Sequence, residues 1–395
     1  MALNPKLFML IAGEASGDLL AAELVVALRS QLPDAKFIGA GGPKMVAAGV
    51  HLAFDLTQHS VIGVSDVLKK YFEFRRLFNQ LLALAIQRQP DAIIGVDYGG
   101  FNLRFGHAVK QYARKNRSAS TPWDPKIIQF VSPQVWASRP GRANRLAADY
   151  DLLLSIFPFE KDWYARRVPK LRVEFVGQPI IGRFVSEGRV TRAPDTEKLG
   201  TRGARPSEIL LLPGSRKSEL QRHLPPMLGA LELIREKLPA AKAKMVLPNQ
   251  GLKELADKLS VLPANFEIQI GDLPQALAQA DVAIASTGTV TVECAFFGVP
   301  TVTLYKTSWL TYQIARRIVT VKSLTMPNLL AGEEVFPEFV QGAATARNIA
   351  GAALELLQNE PRRTRIKTRL SIVVASLGGP GANERAARAI RRLFV

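Results

Sequence analysis

Residues 281–306, DVAIASTGTVTVECAFFGVPTVTLYK, decide how this chain folds. An apolar run, 282–285, stops at a polar, glycine-containing loop made of Ser286, Thr287, Gly288 and Thr289. A short segment closed by Gly298 and Pro300 follows, and a second apolar run begins. The pattern predicts strand, loop, helix, strand. A helix entered from such a loop aims unpaired backbone N–H groups and a positive dipole end at whatever binds there, which suits a diphosphate. Glu293, one turn in, is placed to accept hydrogen bonds from ribose hydroxyls. A second reading stays open, because Val290, Thr291 and Val292 are β-branched and favour extension, which would make the segment a third strand of a purely structural sheet.

The same punctuation recurs outward from this stretch. KLFMLIAGEASGDLLAAELVVALRSQLP, 6–33, reads as a strand, a loop holding Gly13 and Gly17, and an amphipathic helix; KFIGAGG, 36–42, supplies the next strand. The loop is not the GxGxxG of dehydrogenase-type dinucleotide folds. Ser16 and Asp18 are placed to cap the helix. Glu14 puts a carboxylate at the carboxyl end of the first strand, where open α/β sheets bind their ligands. DAIIGVDYGGFN, 91–102, is a buried strand ending on another acid, Asp97. ILLLPGSRKSEL, 209–220, gives a strand, a Pro213-Gly214-Ser215 turn and a helix opened by Arg216 and Lys217; a cation beside free N–H groups again suits phosphate.

With 395 residues the chain is long enough for two or three domains, and 47% apolar against 22% charged residues describes an ordinary globular protein. We expect a first α/β domain over 1–180, a linker over 181–207 where apolar periodicity gives way to charge, Gly and Pro, a second α/β domain over 208–360, and a basic helical tail over 361–395. Lysine and arginine number 52 against 34 acids, a net charge of +18, which favours anionic partners. No nucleic-acid motif accompanies that charge, so nucleic acid is not expected. The single cysteine, Cys294, excludes an internal disulfide and reads as packing; four histidines without ligand-like spacing predict no structural zinc. No apolar run approaches bilayer length, and the expected location is cytoplasmic with at most peripheral membrane contact.

One stretch offers that contact. In 61–90, Lys69, Lys70, Arg75 and Arg76 are interleaved with Tyr71, Phe72, Phe74 and Phe78, the mixture an interfacial membrane segment uses. An ordinary amphipathic helix with its apolar stripe in the core fits the same spacing.

Two α/β domains with a phosphate-friendly second half describe either a nucleotide-sugar glycosyltransferase with two Rossmann-like domains facing a cleft, the GT-B fold, or an epimerase of the same architecture. GEASGD, GAGGPKM, IGVSDVL, GVDYGGFN, FVSPQVWA, FPFEK, LLPGSR, STGT with its following glutamate, and MPNLLAG occur in order along nearly the whole chain. This series resembles the lipid A disaccharide synthase family. The resemblance implies an inverting, metal-independent transferase without a cofactor, bound peripherally to the anionic inner leaflet. It would move 2,3-diacylglucosamine from UDP to 2,3-diacylglucosamine 1-phosphate. It also implies Asp97 and Glu14 as the catalytic acids, with Ser16 and Asn102 beside them on the acceptor side. Gly214, Ser215 and Arg216 would face the donor diphosphate; Ser286, Thr287, Gly288, Thr289 and Glu293 would bind UDP, and Asn328 would join the functional set. The chain departs from the family pattern at Gly99 and Gly100, where Pro and Asp are usual, at Gln178 in place of His, and at Ser138 in place of Trp. These departures leave a second reading, a divergent paralogue that binds UDP-sugar or anionic lipid with altered acceptor or no transfer.

Overall fold

The computed structural model describes residues 5–57, 67–117, 122–188, 206–263 and 266–394; the side chains of 67–71 lie outside the described set. The chain divides into two compact units, Met1–Arg183 with Leu377–Val395, and Phe184–Ser376.

Unit 1 is built on seven parallel strands among the described residues: β1 (Leu7–Ala12), β2 (Lys36–Gly41), β3 (His51–Asp55), β4 (Ala92–Val96), β5 (Lys126–Phe130), β6 (Leu152–Ser155) and β7 (Val173–Phe175), in the order β3-β2-β1-β4-β5-β6-β7. Unit 2 holds six: β8 (Glu208–Leu212), β9 (Lys242–Leu247), β10 (Phe266–Ile270), β11 (Val282–Ser286), β12 (Thr301–Tyr305) and β13 (Glu338–Val340), in the order β10-β9-β8-β11-β12-β13. The central strands β1, β4, β8 and β11 are apolar almost throughout and buried on both faces, as sheets covered by helices on each side require. In each sheet the strand order reverses beside the first strand of the unit, between β1 and β4 and between β8 and β11. Loops leaving the carboxyl ends of such a pair diverge to opposite faces and open a crevice for a ligand.

The basic tail expected over 361–395 is not one element. The helix Glu360–Ser376 belongs to unit 2 and packs on the helices Val290–Phe296, Met326–Ala331 and Ala346–Gln358. The helix Ala382–Arg391 belongs to unit 1 and packs on Ala15–Gln31 through buried Ala382, Ala386, Ala387, Ala389 and Ile390. Arg385 is consumed in holding it, donating to the carbonyls of Val176 (2.7 Å), Pro380 (2.7 Å) and Gly379 (2.8 Å). Of the expected linker, 181–186 lie in the helix Pro179–Ser186, and 189–205 lie outside the described residues. Among the described residues no helix is long and apolar enough to cross a membrane.

Candidate functional site

In unit 1 the loops after β1 and β4 carry Glu14 and Asp97 at the reversal of strand order. Asp97 (φ 51°) and Tyr98 (φ 45°) are consecutive non-glycine residues in the left-handed region. Each costs about 1–3 kcal/mol unless its surroundings over-determine it. They do. The Asp97 carbonyl accepts from Asn102 Nδ2 at 2.8 Å and Gln129 Nε2 at 2.8 Å, while the Asp97 N–H donates to the Phe130 carbonyl at 2.8 Å. Gly95 makes this possible, because a Cβ there would stand 2.7 Å from Gln129 Oε1 and 2.8 Å from Asn102 Cγ. The Tyr98 ring covers Gly13, where a Cβ would meet Cδ1 at 2.4 Å. Burial, and then the Glu14 charge, hold the Tyr98 hydroxyl above its ordinary pKa. The Tyr98 ring, next in the chain to Asp97, thus lies over the loop that carries Glu14.

Their neighbours have different work from that expected. Asp18 does not cap its own helix Ala15–Gln31, whose N-cap position is Glu14. Its buried carboxylate accepts instead from the N–H groups of Gly42 (2.9 Å), Lys44 (2.9 Å) and Met45 (3.0 Å), tying GEASGD to GAGGPKM. Ser16 is exposed on the first turn of that helix. Asn102 is buried, and its Nδ2 donates to the Asp97 and Ile11 carbonyls, so it supports the turn from beneath. A third loop, after β5, has Val131 at φ 67°, a severe conformation for a β-branched residue. It is fastened by Trp136 Nε1 donating to Glu160 Oε1 (2.9 Å) and by a hydrogen bond between Ser132 Oγ and Tyr164 (3.2 Å). Glu160 is fully buried, and this pushes its carboxyl up to about 7. Gln129 and Glu160 are the residues sequence reasoning missed; an acid directly after an aromatic residue in FPFEKDW was the available signal for the second.

In unit 2 the expected strand, loop, helix, strand is present as β11, 287–289, Val290–Phe296 and β12. The β-branched trio is helical because Thr291 and Val292 are buried along with Cys294, Ala295 and Phe296. Side-chain burial worth about 2 kcal/mol per residue outweighs propensity differences of a few tenths. Ser286 is buried at the strand end, Thr287 is half-buried, and Gly288 (φ 141°) and Thr289 are exposed. Thr291 Oγ1 closes the loop onto the Gly288 carbonyl at 2.7 Å, and Glu293 is half-buried in the first turn. Burial pushes the Cys294 thiol up to about 12, so it is a packing residue.

The loop after β8 corrects one expectation. The N–H groups of Ser215 (3.0 Å) and Arg216 (3.2 Å) are not free: both donate to Glu219 Oε2, and Arg216 Nη1 donates to Glu219 Oε1 at 3.3 Å. An acid three residues into the helix Lys217–Lys237 folds back on the N-terminus as a capping box. Gly214 (φ 118°) must be glycine, since its Cβ would lie 2.4 Å from Glu219 Oε2. Buried His223 joins this loop to β12, with Nδ1 bonded to the Pro213 carbonyl (2.7 Å) and Nε2 accepting from the Lys306 N–H (3.0 Å). Burial lowers its pKa and keeps it neutral. Asn328 is buried with both polar atoms engaged, Nδ2 donating to the Phe336 carbonyl (2.8 Å) and Glu338 Oε1 (2.8 Å), and Oδ1 accepting from Val335 (2.9 Å) and Phe336 (2.8 Å). It braces the 333–338 turn and offers nothing to a ligand.

The helix Val67–Arg88 has the core-facing apolar stripe that its amphipathic spacing predicts. Phe74 and Phe78 pack on the unit 1 core around Leu77 and Leu81, while Phe72, Arg75 and Arg76 are exposed. Lys69, Lys70 and Tyr71 have side chains outside the described residues.

Residues 8–392 match the family described as Lipid-A-disaccharide synthetase. The chain belongs to that family. Its similar relatives include the Lipid-A-disaccharide synthase of Trichlorobacter lovleyi, 35% identical over 388 residues, covering 97% of this chain and 96% of that protein. That of Myxococcus xanthus is 33% identical over 393 residues, covering 99% and 98%. Lipid-A-disaccharide synthetases form a disaccharide by glycosyl transfer, and this chain is an enzyme of that kind. Solved structures show the fold alone at their low identity. A UDP-GlcNAc 2-epimerase from Neisseria meningitidis bound to UDP-GlcNAc superposes with a TM-score of 0.63 at 12% identity, covering 98% of this chain and 100% of that one. The calicheamicin glycosyltransferase gives 0.59 at 15%, covering 99% of each. Both architectures named from sequence are therefore represented, and family membership decides between them for the transferase.

Proposed function

We propose that the enzyme transfers 2,3-diacylglucosamine from its UDP derivative to the 6-hydroxyl of 2,3-diacylglucosamine 1-phosphate, giving a β-1,6 disaccharide and UDP. The observation carrying this reading is that the acids of unit 1 and the hydroxyl-rich loop of unit 2 each stand at the point where strand order reverses. A base removes the 6-hydroxyl proton as that oxygen attacks the anomeric carbon from the face opposite the diphosphate. The bond from the anomeric carbon to the diphosphate oxygen breaks, and UDP leaves with the electron pair. Asp97 is the base we favour, because its backbone is clamped from two sides; Glu14, whose charge reaches the Tyr98 hydroxyl, is the competitor. Arg216, Ser215, Ser286, Thr287, Gly288, Thr289 and Glu293 form the donor side. A diphosphate reaching the Ser215 and Arg216 N–H groups displaces the Glu219 carboxylate that holds them. Acylated substrates place the enzyme on the anionic inner leaflet of the cytoplasmic membrane, with Phe72, Arg75 and Arg76 among the contacts.

The test is an assay in detergent micelles with both acylated substrates, following UDP and disaccharide together. Matched formation of the two products is expected. UDP without disaccharide would mean a different acceptor, and neither product from a protein that binds UDP would favour the non-transferring paralogue. Asp97→Ala should lower kcat by roughly 100-fold or more, the scale of a lost general base. Near-normal turnover would move the role to Glu14.

A further inference from the structure

The helix Trp309–Ile318, WLTYQIARRI, follows β12 in unit 2 and has no buried residue. Ser308 Oγ accepts from the Thr311 N–H at 3.2 Å and starts it cleanly, so it is a formed helix lying on the surface. Trp309 is 71% exposed, Leu310 63% and Ile314 49%. At 100° per residue these three and Arg317 fall within one arc of about 140°, with Arg316 at its margin. Among the described residues most other exposed large apolar side chains are scattered, which needs no explanation; here three share one helix face, which does. The charge along this stretch of chain has one sign. From 294 to 332 the chain has no Asp or Glu, while Lys306, Arg316, Arg317 and Lys322 are cationic. Because β12 pairs in parallel with β11, the helix departs from the same sheet edge as the 286–289 loop.

We propose that this helix is a membrane-docking element of the donor unit, lying in the plane of an anionic bilayer with Trp309, Leu310 and Ile314 among the upper acyl carbons. Arg316 and Arg317 keep their aliphatic stems along the apolar face and set their guanidinium groups at lipid phosphates. Tryptophan suits that depth, since its ring is apolar and its N–H stays wet. The occupant is a lipid surface because the charges along 294–332 are all cationic; a soluble protein partner would leave those charges unmatched unless it were itself acidic. The inference rests on the proposed acylated donor and goes beyond it. It gives unit 2 its own hold on the bilayer, at the edge where the donor binds, independent of the Val67–Arg88 helix.

Partitioning of the full-length protein would be measured by co-sedimentation with vesicles of equimolar phosphatidylethanolamine and phosphatidylglycerol, and with pure phosphatidylcholine. Replacing Trp309, Leu310 and Ile314 together by Ser should weaken partitioning at least about tenfold, the scale for withdrawing three apolar side chains from the interface. Replacing Arg316 and Arg317 by Gln should remove the preference for anionic vesicles and most of the salt sensitivity. UDP affinity by calorimetry should be unchanged in both variants; a loss of UDP binding in wild type would count against the donor reading, not against docking. Should the triple variant fold poorly, wild type with brominated lipids serves: emission should be quenched more than in Trp309→Phe. Unchanged partitioning of a folded triple variant, or no quenching difference, overturns the proposal. So does a change in oligomeric state without a change in partitioning, which would mean a second copy of the chain covers the face.

Discussion

The two sheet edges solve opposite problems. In unit 1 the strained turn at Asp97 and Tyr98 is fixed from below by buried amides and from above by an aromatic ring packed on a glycine. In unit 2 the 287–289 loop is exposed at Gly288 and Thr289, and the N–H groups of Ser215 and Arg216 are held by the Glu219 carboxylate, which the proposed diphosphate would displace. In the proposed mechanism the residue that must meet a proton along one line is immobilised in advance, and the cost in strain is met by local packing. A site that must take in and release a highly charged leaving group instead keeps an exchangeable occupant.

The sharpest way to break this contrast is to loosen the rigid edge. Gln129→Ala removes one of two donors to the Asp97 carbonyl without touching either substrate. It should lower kcat about ten- to hundredfold with little change in the KM for donor, and Gln129→Asn should recover little because its shorter amide falls short. Equal losses in kcat/KM and in thermal stability would reduce Gln129 to a packing residue.

The pH responses of the two units should run in opposite directions. Glu160, with a folded pKa raised to about 7 from 4.5, favours the native state when protonated. Its contribution, roughly 3 kcal/mol at most, is present below pH 4.5 and lost as pH rises through about 7. His223 has the reverse sign. Its folded pKa is depressed from 6.5, so its support for unit 2 is present above that pH and lost on acidification. Hydrogen exchange should show β5 and β6 amides opening more easily at pH 8 than at pH 5 and β8 and β12 amides the reverse. Glu160→Gln, which keeps an acceptor for Trp136, should abolish the first trend, and its persistence would count against the buried acid.

At the exchangeable edge, Glu219→Gln retains the cap but removes the competing charge, and UDP should bind about three- to tenfold more tightly by calorimetry. Weaker binding would mean that the carboxylate helps to build the site. Smallest of all, Gly100→Asp restores the residue usual in the family at a position where a Cβ has nothing within 4 Å. Its melting temperature should barely move, consistent with an effect within about 0.5 kcal/mol, and any gain in acceptor affinity would identify what the departure changed.

Much of this was legible because glycine and proline mark where apolar runs stop. Glu14, Asp97 and the 286–289 loop were found from that punctuation alone, since a strand end followed by a turn fixes which edge a residue occupies. Direction of a side chain is set by long-range neighbours, and there sequence fell short. Asn102 and Asn328 lie in the right motifs yet point inward, and Asp18 reaches across to the next loop instead of capping its own helix. The capping glutamate in GSRKSEL was in view, but only its geometry shows it occupying the expected anion site. The 382–391 helix reads as a basic tail because its charge is mostly arginine, while its alanines decide the packing.

That helix also sets an order of events during synthesis. Unit 1 is completed by residues separated from its body by the whole of unit 2, whose own residues, 184–376, are continuous. On a ribosome, unit 2 can therefore finish folding while the Ala15–Gln31 helix still waits with its partner face open to water. The partner face of that helix is covered only when the return segment arrives, which makes the nascent protein most exposed to chaperones, and to aggregation, on its amino-terminal side.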